Sequence, residues 1–137
     1  MGGVPVTIVA DQLRQRPTSG IATYTRGLLL GLRAMGADAP AVTLAASRPP
    51  SRARGSAATR APGGADPLAE WGWPVRSSRL PGPALARAWD RGWAGGILRN
   101  GGLVHATSLA AAFPRGVRVA VMVHDVAWRE APDTFPA

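Results

Sequence analysis

Short apolar runs and one long helical pattern alternate along the first third of the chain. Residues 4–10 form an apolar run rich in β-branched side chains, which is typical of a buried strand, and residues 41–46 form a second such run. Between them apolar side chains recur at helical spacing, with Gly36 as the C-cap: Ile21, Tyr24, Leu28, Leu29, Leu32 and Met35. A strand, a helix and a strand in this order predict a parallel sheet.

The second half of the chain continues the alternation with less distinct boundaries. A short strand is predicted near Val75, and residues 103–106 and 117–123 are predicted as two further buried strands. A helix is predicted over residues 84–99, where four apolar side chains recur every fourth position and are expected to pack in the core: Leu85, Trp89, Trp93 and Ile97. The pattern as a whole predicts an α/β fold, a Rossmann-like open parallel sheet with flanking helices.

Residues 47–67 interrupt this pattern. The segment is crowded with proline, glycine, serine and arginine and has few apolar side chains, so its burial cannot offset the entropy lost on ordering. We therefore expect a flexible loop inserted within one domain. An interdomain linker is the alternative, although the chain before it is too short to make a stable domain. The polar segment at residues 11–19 is predicted as a loop between the first strand and the helix.

Composition and charge exclude several classes of function. The absence of cysteine removes disulfides and thiolate metal sites, and two histidines without a carboxylate at metal-ligand spacing predict no metal site. No apolar stretch reaches the roughly 18 residues that span a membrane, so a cytoplasmic location is expected. The net charge of +8 comes from sixteen arginines spread along the chain without interleaved aromatics, so no nucleic acid is expected as a partner. The same charge favours nucleotide phosphates and peripheral contact with the inner face of a membrane.

Polar residues follow the predicted strands at the edge where open parallel sheets bind ligands. Ser19 and Gly20 lie between the first strand and the helix, where exposed N–H groups and the helix dipole favour an anion. The structural alternative is that Ser19 caps the helix and Gly20 turns the chain. The segment matches neither the dinucleotide-binding glycine motif nor the phosphate-binding loop of ATPases.

Two histidines lie at the ends of two later strands. His105, Thr107 and Ser108 follow one strand, and His124 and Asp125 follow the other. An imidazole at this edge can exchange hydrogen bonds with a sugar hydroxyl near neutral pH, and a carboxylate can accept a hydroxyl or orient the ring. A structural role is the preferred interpretation for His105, and a ligand-contacting role is preferred for His124.

These segments together resemble a known family. Residues 19–29 (SGIATYTRGLL) resemble the glycine loop and first helix of retaining GT-B glycosyltransferases of the mannosyltransferase-like family (glycosyltransferase family 4-like). Residues 103–108 (LVHATS) and 121–128 (VMVHDVAW) resemble the paired strand ends of that family, in the same order. Many members carry Gly-Ile-Gly in the loop, whereas Ala22 occupies the second glycine position here. The middle of the chain carries no such motif.

The resemblance implies the N-terminal, acceptor-side half of an enzyme that transfers a sugar with retention of configuration. The donor would be a nucleotide sugar, the acceptor a sugar, lipid or glycan, and neither a cofactor nor a metal is implied. In similar proteins the glycine loop lies against the donor's phosphate and sugar, a role that falls to Gly20 with Ser19. The strand-end histidine contacts the transferred sugar there, a role that falls to His124, with Asp125 as a weaker candidate.

The remaining polar residues of the edge are expected to contact the acceptor or line the cleft: His105, Thr107 and Ser108. The family's C-terminal donor-binding half is not recognised in residues 1–137, so the chain is expected to be an incomplete GT-B half that is inactive alone. The alternative is a non-enzymatic Rossmann-like module that binds an anion or a partner protein through the same edge.

Overall fold

A five-stranded parallel sheet forms the centre of the protein. The computed structural model describes residues 3–15, 19–49, 65–93, 96–99, 102–111, 113 and 115–124. The strands are β1 (Val6–Val9), β2 (Val42–Ala46), β3 (Val75–Ser77), β4 (Leu103–Ala106) and β5 (Arg118–Val121). They lie in the order β3-β2-β1-β4-β5, and every neighbouring pair is parallel. The predicted α/β, Rossmann-like open sheet is confirmed.

Two helices cover opposite faces of this sheet: α1 (Gly20–Ala34) and α2 (Gly82–Asp90). Successive side chains of a strand point to opposite faces, so Ile8 of β1 packs in the cluster with α1 and Val9 packs in the cluster with α2. Leu29 anchors α1 to its face and Trp89 anchors α2 to the other. Because β1 is buried on both faces, its sequence is a continuous apolar run without alternation.

Helix α1 begins and ends close to the predicted residues. Ser19 is its N-cap, and the Ser19 side chain accepts a hydrogen bond from the N–H of Ala22 at 3.3 Å. The helix ends at Ala34, and Gly36 follows with a φ of 56°, a left-handed conformation that favours glycine. The predicted cap at Gly36 therefore has a physical basis in the backbone.

Helix α2 is shorter than the predicted helix over residues 84–99. It ends at Asp90, and the N–H of Gly92 (φ 77°) bonds to the carbonyl of Trp89 at 2.8 Å. The N–H of Trp93 bonds to the carbonyl of Ala88 at 2.9 Å, which completes a Schellman ending. The chain then leaves the helix axis, so Trp93 is 55% exposed and its predicted place in the core is wrong.

The segment after β1 is more ordered than the predicted polar loop. Residues Asp11–Arg14 form a 3₁₀ turn. Asp11 is buried, and its carboxylate accepts the N–H of Ser47 at 2.7 Å, which compensates for the hydration that it loses. Of the loop predicted over residues 47–67, residues 50–64 lie outside the described part of the chain. The two ends of that segment are held by Arg14, which bonds to the Ser47 carbonyl and to the Asp66 carboxylate.

Candidate functional site

The sheet order creates a crevice at the carboxyl ends of β1 and β4. From β1 the chain passes through α1 to β2 on one side, and from β3 it passes through α2 to β4 on the other side. The connections of these two neighbouring strands therefore diverge, and such a switch point is where open α/β sheets bind ligands. The start of α1 and the residues that follow β4 and β5 lie at this edge.

Three side chains meet at this edge: Tyr24 of α1, His105 of β4 and His124 beyond β5. We call them the strand-end cluster. The Tyr24 hydroxyl and His105 Nε2 are 3.1 Å apart and share a hydrogen bond. The rings of Tyr24 and His124 meet edge to face, with centroids 5.3 Å apart and an interplanar angle of 82°. The structure thus brings together the two histidines predicted at neighbouring strand ends.

The imidazole of His124 is held by the backbone. Its Nε2 lies 2.7 Å from the carbonyl oxygen of Thr107. A carbonyl oxygen can only accept, so Nε2 donates and carries the proton. In the neutral ring Nδ1 is then left as a hydrogen-bond acceptor. The side chain is exposed, so a ligand can reach it.

His105 occupies a different environment from His124. It is half-buried, and burial lowers its pKa below the ordinary value of 6.5 because the charged ring loses hydration. The ring is therefore neutral near neutral pH. Its bond to the Tyr24 hydroxyl joins β4 to α1, which agrees with the structural interpretation of His105.

Thr107 and Ser108 are buried at the end of β4. The Thr107 hydroxyl donates to the carbonyl of Val9 at 2.7 Å, and the Ser108 hydroxyl accepts the N–H of Ala110 at 3.3 Å. Both hydroxyls are thus bonded within the protein, where they fix the turn that carries the Thr107 carbonyl. Their contact with a ligand stays a prediction.

The start of α1 is exposed at both predicted residues. Ser19 acts as the helix cap, so its capping interpretation is confirmed. Gly20 has no positive φ, and within the described part of the chain a Cβ built on it would meet no atom within 4 Å outside its neighbours and its own helix backbone. The fold therefore does not require glycine at this position. The N–H groups of Gly20 and Ile21 belong to the first turn, where a helix has no internal acceptor for them.

Ala22, which stands where many members of the resembled family have a second glycine, does not narrow this surface. Its side chain is 1% exposed and packs in the core cluster beneath α1. The methyl group therefore faces the sheet. The predicted site residue Asp125 lies outside the described part of the chain.

A separate cavity of about 240 Å³ lies beside the middle of α1. Its lining differs entirely from the strand-end cluster: Arg26, Leu30, Arg33, Glu70 and Trp71. Within the described ranges, no group of three or more histidine, cysteine, aspartate or glutamate residues is arranged to hold a metal ion. None of the helices in that part of the chain has the length and apolar character needed to cross a membrane.

Comparison with protein-family models, with curated proteins and with solved structures found no match to this chain. The glycosyltransferase resemblance therefore depends on the motifs of the sequence, and the Rossmann-like fold depends on the structure.

Tyr24 is the member of the cluster that sequence reasoning did not assign to the site. Periodicity predicts Tyr24 in the apolar stripe of α1, with which its spacing agrees. The available signal was chemical, because the only tyrosine of the chain lies one helical turn after Gly20 and brings a hydroxyl into an otherwise apolar stripe.

Proposed function

We propose that this chain is the acceptor-side Rossmann-like half of a retaining GT-B glycosyltransferase that uses a nucleotide-sugar donor. The observation that supports the proposal is the meeting of Tyr24 of α1 with His105 and His124 at the switch point of the sheet. These are the segments that resemble the family, although they are far apart in sequence. The predicted parallel sheet already places the strand ends on one edge, whereas the contacts of Tyr24 with both histidines are not given by the local patterns.

The two parts of the edge suit different parts of a nucleotide sugar. The first-turn N–H groups at Gly20 and Ile21 offer donors, and the helix dipole adds favourable charge for a phosphate. Nδ1 of His124 offers an acceptor for a hydroxyl of the transferred sugar. The proposed role of His124 is contact with that sugar. A second, donor-binding Rossmann-like half facing this edge is the proposed partner.

The proposal also includes a cellular location and a class of acceptor. A net charge of +8 attracts anionic surfaces, which fits a cytoplasmic protein in peripheral contact with the inner membrane face. The acceptor would be a sugar, lipid or glycan.

The second candidate function is a non-enzymatic anion-binding module. The exposed start of α1 in a strongly basic chain favours it, because both features attract a phosphate without any sugar. The two candidate functions differ in the role that they assign to His124. Only the glycosyltransferase proposal requires it to recognise a hydroxyl.

Calorimetric titration of the 137-residue chain tests this difference. The probes are UDP-glucose and GDP-mannose, each paired with its nucleoside diphosphate. We expect one nucleotide sugar to bind more tightly than its diphosphate. The His124→Ala substitution should remove that preference, at a loss of about 1 kcal/mol for one hydrogen bond. Val123→Ala is the matched control, because Val123 is the exposed neighbour of His124.

Three outcomes separate the candidates. Preference for a nucleotide sugar that depends on His124 supports the glycosyltransferase proposal. Equal binding of the diphosphate and the nucleotide sugar, unchanged in His124→Ala, favours the anion-binding module. Binding of neither ligand class contradicts the anion-binding module and the donor contacts proposed for Gly20, Ile21 and His124.

A further inference from the structure

Tyr24 contacts both histidines of the strand-end cluster. Its hydroxyl bonds to Nε2 of His105, and the two rings lie 6.2 Å apart by their centroids. Its ring meets the ring of His124 at 5.3 Å, almost at a right angle. One side chain of α1 thus touches the end of β4 and the residue that follows β5.

Tyr24 has the support that a positioning residue needs. The next residue, Thr25, is fully buried, so this turn of α1 packs against the interior, and the Thr25 hydroxyl donates to the carbonyl of Ile21 at 2.8 Å within the helix. At the other end the hydroxyl of Tyr24 is held by the half-buried His105. The ring is therefore restrained by the helix at its base and by β4 at its tip.

His124 has much less support of its own. It lies three residues beyond β5, it is exposed, and its neighbour Val123 is 46% exposed. Holding an exposed side chain in one rotamer costs conformational entropy. The hydrogen bond to the Thr107 carbonyl fixes the position of Nε2 but does not by itself fix the plane of the imidazole ring. The edge-to-face contact with Tyr24 restrains the plane of the ring as well.

We propose that Tyr24 is the positioning residue of His124. It keeps the imidazole on the Thr107 carbonyl, so that Nε2 stays the donor and Nδ1 stays the acceptor that a ligand meets. The identity of that ligand as a nucleotide sugar rests on the proposed function, whereas the positioning of the ring does not.

This arrangement sets a chemical preference at His124. A neutral ring with Nδ1 unprotonated accepts a hydrogen bond from a hydroxyl, and its lone pair repels an unprotonated phosphate oxygen. Restraining the ring before binding also reduces the entropy lost when the ligand is bound. Tyr24 would therefore increase affinity for a sugar hydroxyl without contacting it.

Nitrogen-15 NMR of the histidine rings tests the proposal in the 137-residue chain without any ligand. The spectrum distinguishes the two neutral tautomers, and we expect His124 to show Nε2–H alone at a pH where the ring is neutral. The Tyr24→Leu substitution removes the aromatic ring and should give a mixture of tautomers. Tyr24→Phe keeps the ring beside His124 and loses only the hydroxyl, so it should restore most of the single tautomer.

A control variant separates positioning from general stability. Leu28→Ala lies one turn further along α1, in partial contact with the core, and is expected to lower the melting temperature without changing the His124 tautomer. Mixed tautomers in the unsubstituted chain, or an unchanged His124 spectrum in a folded Tyr24→Leu variant, would overturn the proposal. If Tyr24→Leu does not fold, the tautomer of the unsubstituted chain and of Tyr24→Phe decides.

A second measurement connects the ring to the ligand. UDP-glucose and GDP-mannose are titrated into the same variants, and the nucleotide sugar that binds should lose about three- to tenfold in affinity in Tyr24→Leu, the range expected for one weakened hydrogen bond. Its nucleoside diphosphate should lose none. A fixed tautomer in a chain that binds no nucleotide sugar contradicts the proposed sugar contact of His124 and leaves the positioning role of Tyr24 standing. Binding with a tautomer that ignores Tyr24 contradicts the positioning role alone.

Discussion

Gly20, at the start of α1, is a glycine that neither its backbone conformation nor its packing requires. Most constrained glycines of the described chain are explained by backbone shape, as Gly36 and Gly92 are by their positive φ. Gly20, Gly27 and Gly31 of α1 have neither that conformation nor, within the described residues, an atom within 4 Å of an added Cβ. Gly20 differs from the other two by its place in the first turn, beside the N–H groups that have no acceptor within the helix.

We expect Gly20→Ala to separate binding from folding. The added methyl meets no atom within 4 Å among the described residues beyond its own helix backbone and neighbours, so the free energy of unfolding should change by no more than about 0.5 kcal/mol. The same methyl lies beside the N–H groups proposed to bind phosphate, so affinity for a nucleoside diphosphate should fall. Urea unfolding and calorimetry measure the two effects. Gly27→Ala, in an equally open position of the same helix, should leave affinity unchanged. Equal binding by both variants would remove Gly20 from the site.

His105 should make the stability of the fold depend on pH. Its pKa in the folded state is below 6.5 because of burial, whereas the unfolded chain keeps the ordinary value. Between these two values the unfolded chain binds the proton and the folded chain does not. The free energy of unfolding should therefore fall as pH decreases from 6.5 through the folded pKa, and should be fully retained above 6.5.

The His105→Gln substitution removes this titration and keeps a polar partner for the Tyr24 hydroxyl. Urea unfolding of both proteins at a series of pH values should show a smaller slope for the variant in the region just below 6.5. Identical slopes would mean that His105 does not respond to burial in this way.

At the scale of elements, Arg14 connects the first three strands at the same edge of the sheet. Its guanidinium bonds to the carbonyl of Ser47 after β2, to the carboxylate of Asp66, and to the hydroxyl of Ser77 in β3 at 3.1 Å. The arginine side chain is only 4% exposed. A buried guanidinium needs such partners, because an unpaired charge there would lose its hydration without compensation.

The ion pair between Arg14 and Asp66 predicts a loss of stability in acid. Burial raises the pKa of Asp66, but the hydrogen bond from Arg14, the N–H of Leu68 and the charge of Arg14 together lower it below 3.8. Its contribution is therefore present above 3.8 and is lost as pH falls through the folded pKa. Asp66→Asn should lower the free energy of unfolding by about 1–3 kcal/mol at neutral pH, with a smaller difference in acid. The double variant with Arg14→Met should recover part of the loss in urea unfolding. An additive double variant would contradict the pairing.

Sequence periodicity predicted the elements of this fold better than their ends or contacts. The strands were recognisable because burial on both faces requires continuous apolar runs, as in β1. The end of α2 was missed because apolar spacing continues through Trp93, whereas the left-handed conformation of Gly92 redirects the backbone. The spacing of apolar residues carries no information about the φ angle of a glycine between them.

The sequence predicted which edge of the sheet carries the candidate site, but it did not predict the side-chain contacts within that site. Polar residues after apolar strands indicated where His105 and His124 would lie, since parallel strands end on one side of a sheet. The bond between Tyr24 and His105 joins residues 81 positions apart, and Arg14 and Asp66 are 52 positions apart. Such pairs depend on strand order and on the path of the connections, which local spacing does not determine.

At the scale of the whole molecule, the site lies on the seam between two parts of the sheet. β1 pairs with β2 on one side and with β4 on the other, and the β1–β4 register matches Val6 with Leu103 and Val9 with Ala106. The strand-end cluster joins α1 on one side of this seam to β4 and the residues after β5 on the other. Any change that moves β4 relative to β1 should therefore disturb both the fold and the cluster.

Gly102→Ala tests this dependence directly. A Cβ at Gly102 would lie 1.9 Å from the carbonyl oxygen of Pro5, which also accepts the N–H of Leu103 at 2.9 Å, so the start of β4 must move away from β1. We expect a loss of at least about 2 kcal/mol in the free energy of unfolding, measured in urea.

Gly27→Ala is the matched control, and it should raise the free energy of unfolding. A methyl at Gly27 meets no described atom within 4 Å, and alanine has a higher helix propensity than glycine by up to about 1 kcal/mol. Since the seam carries the cluster, Gly102→Ala should also broaden the His124 ring signals while Gly27→Ala leaves them sharp. A Gly102→Ala protein as stable as its parent would show that β4 and β1 can separate without loss, and would refute the idea that this close packing fixes the site.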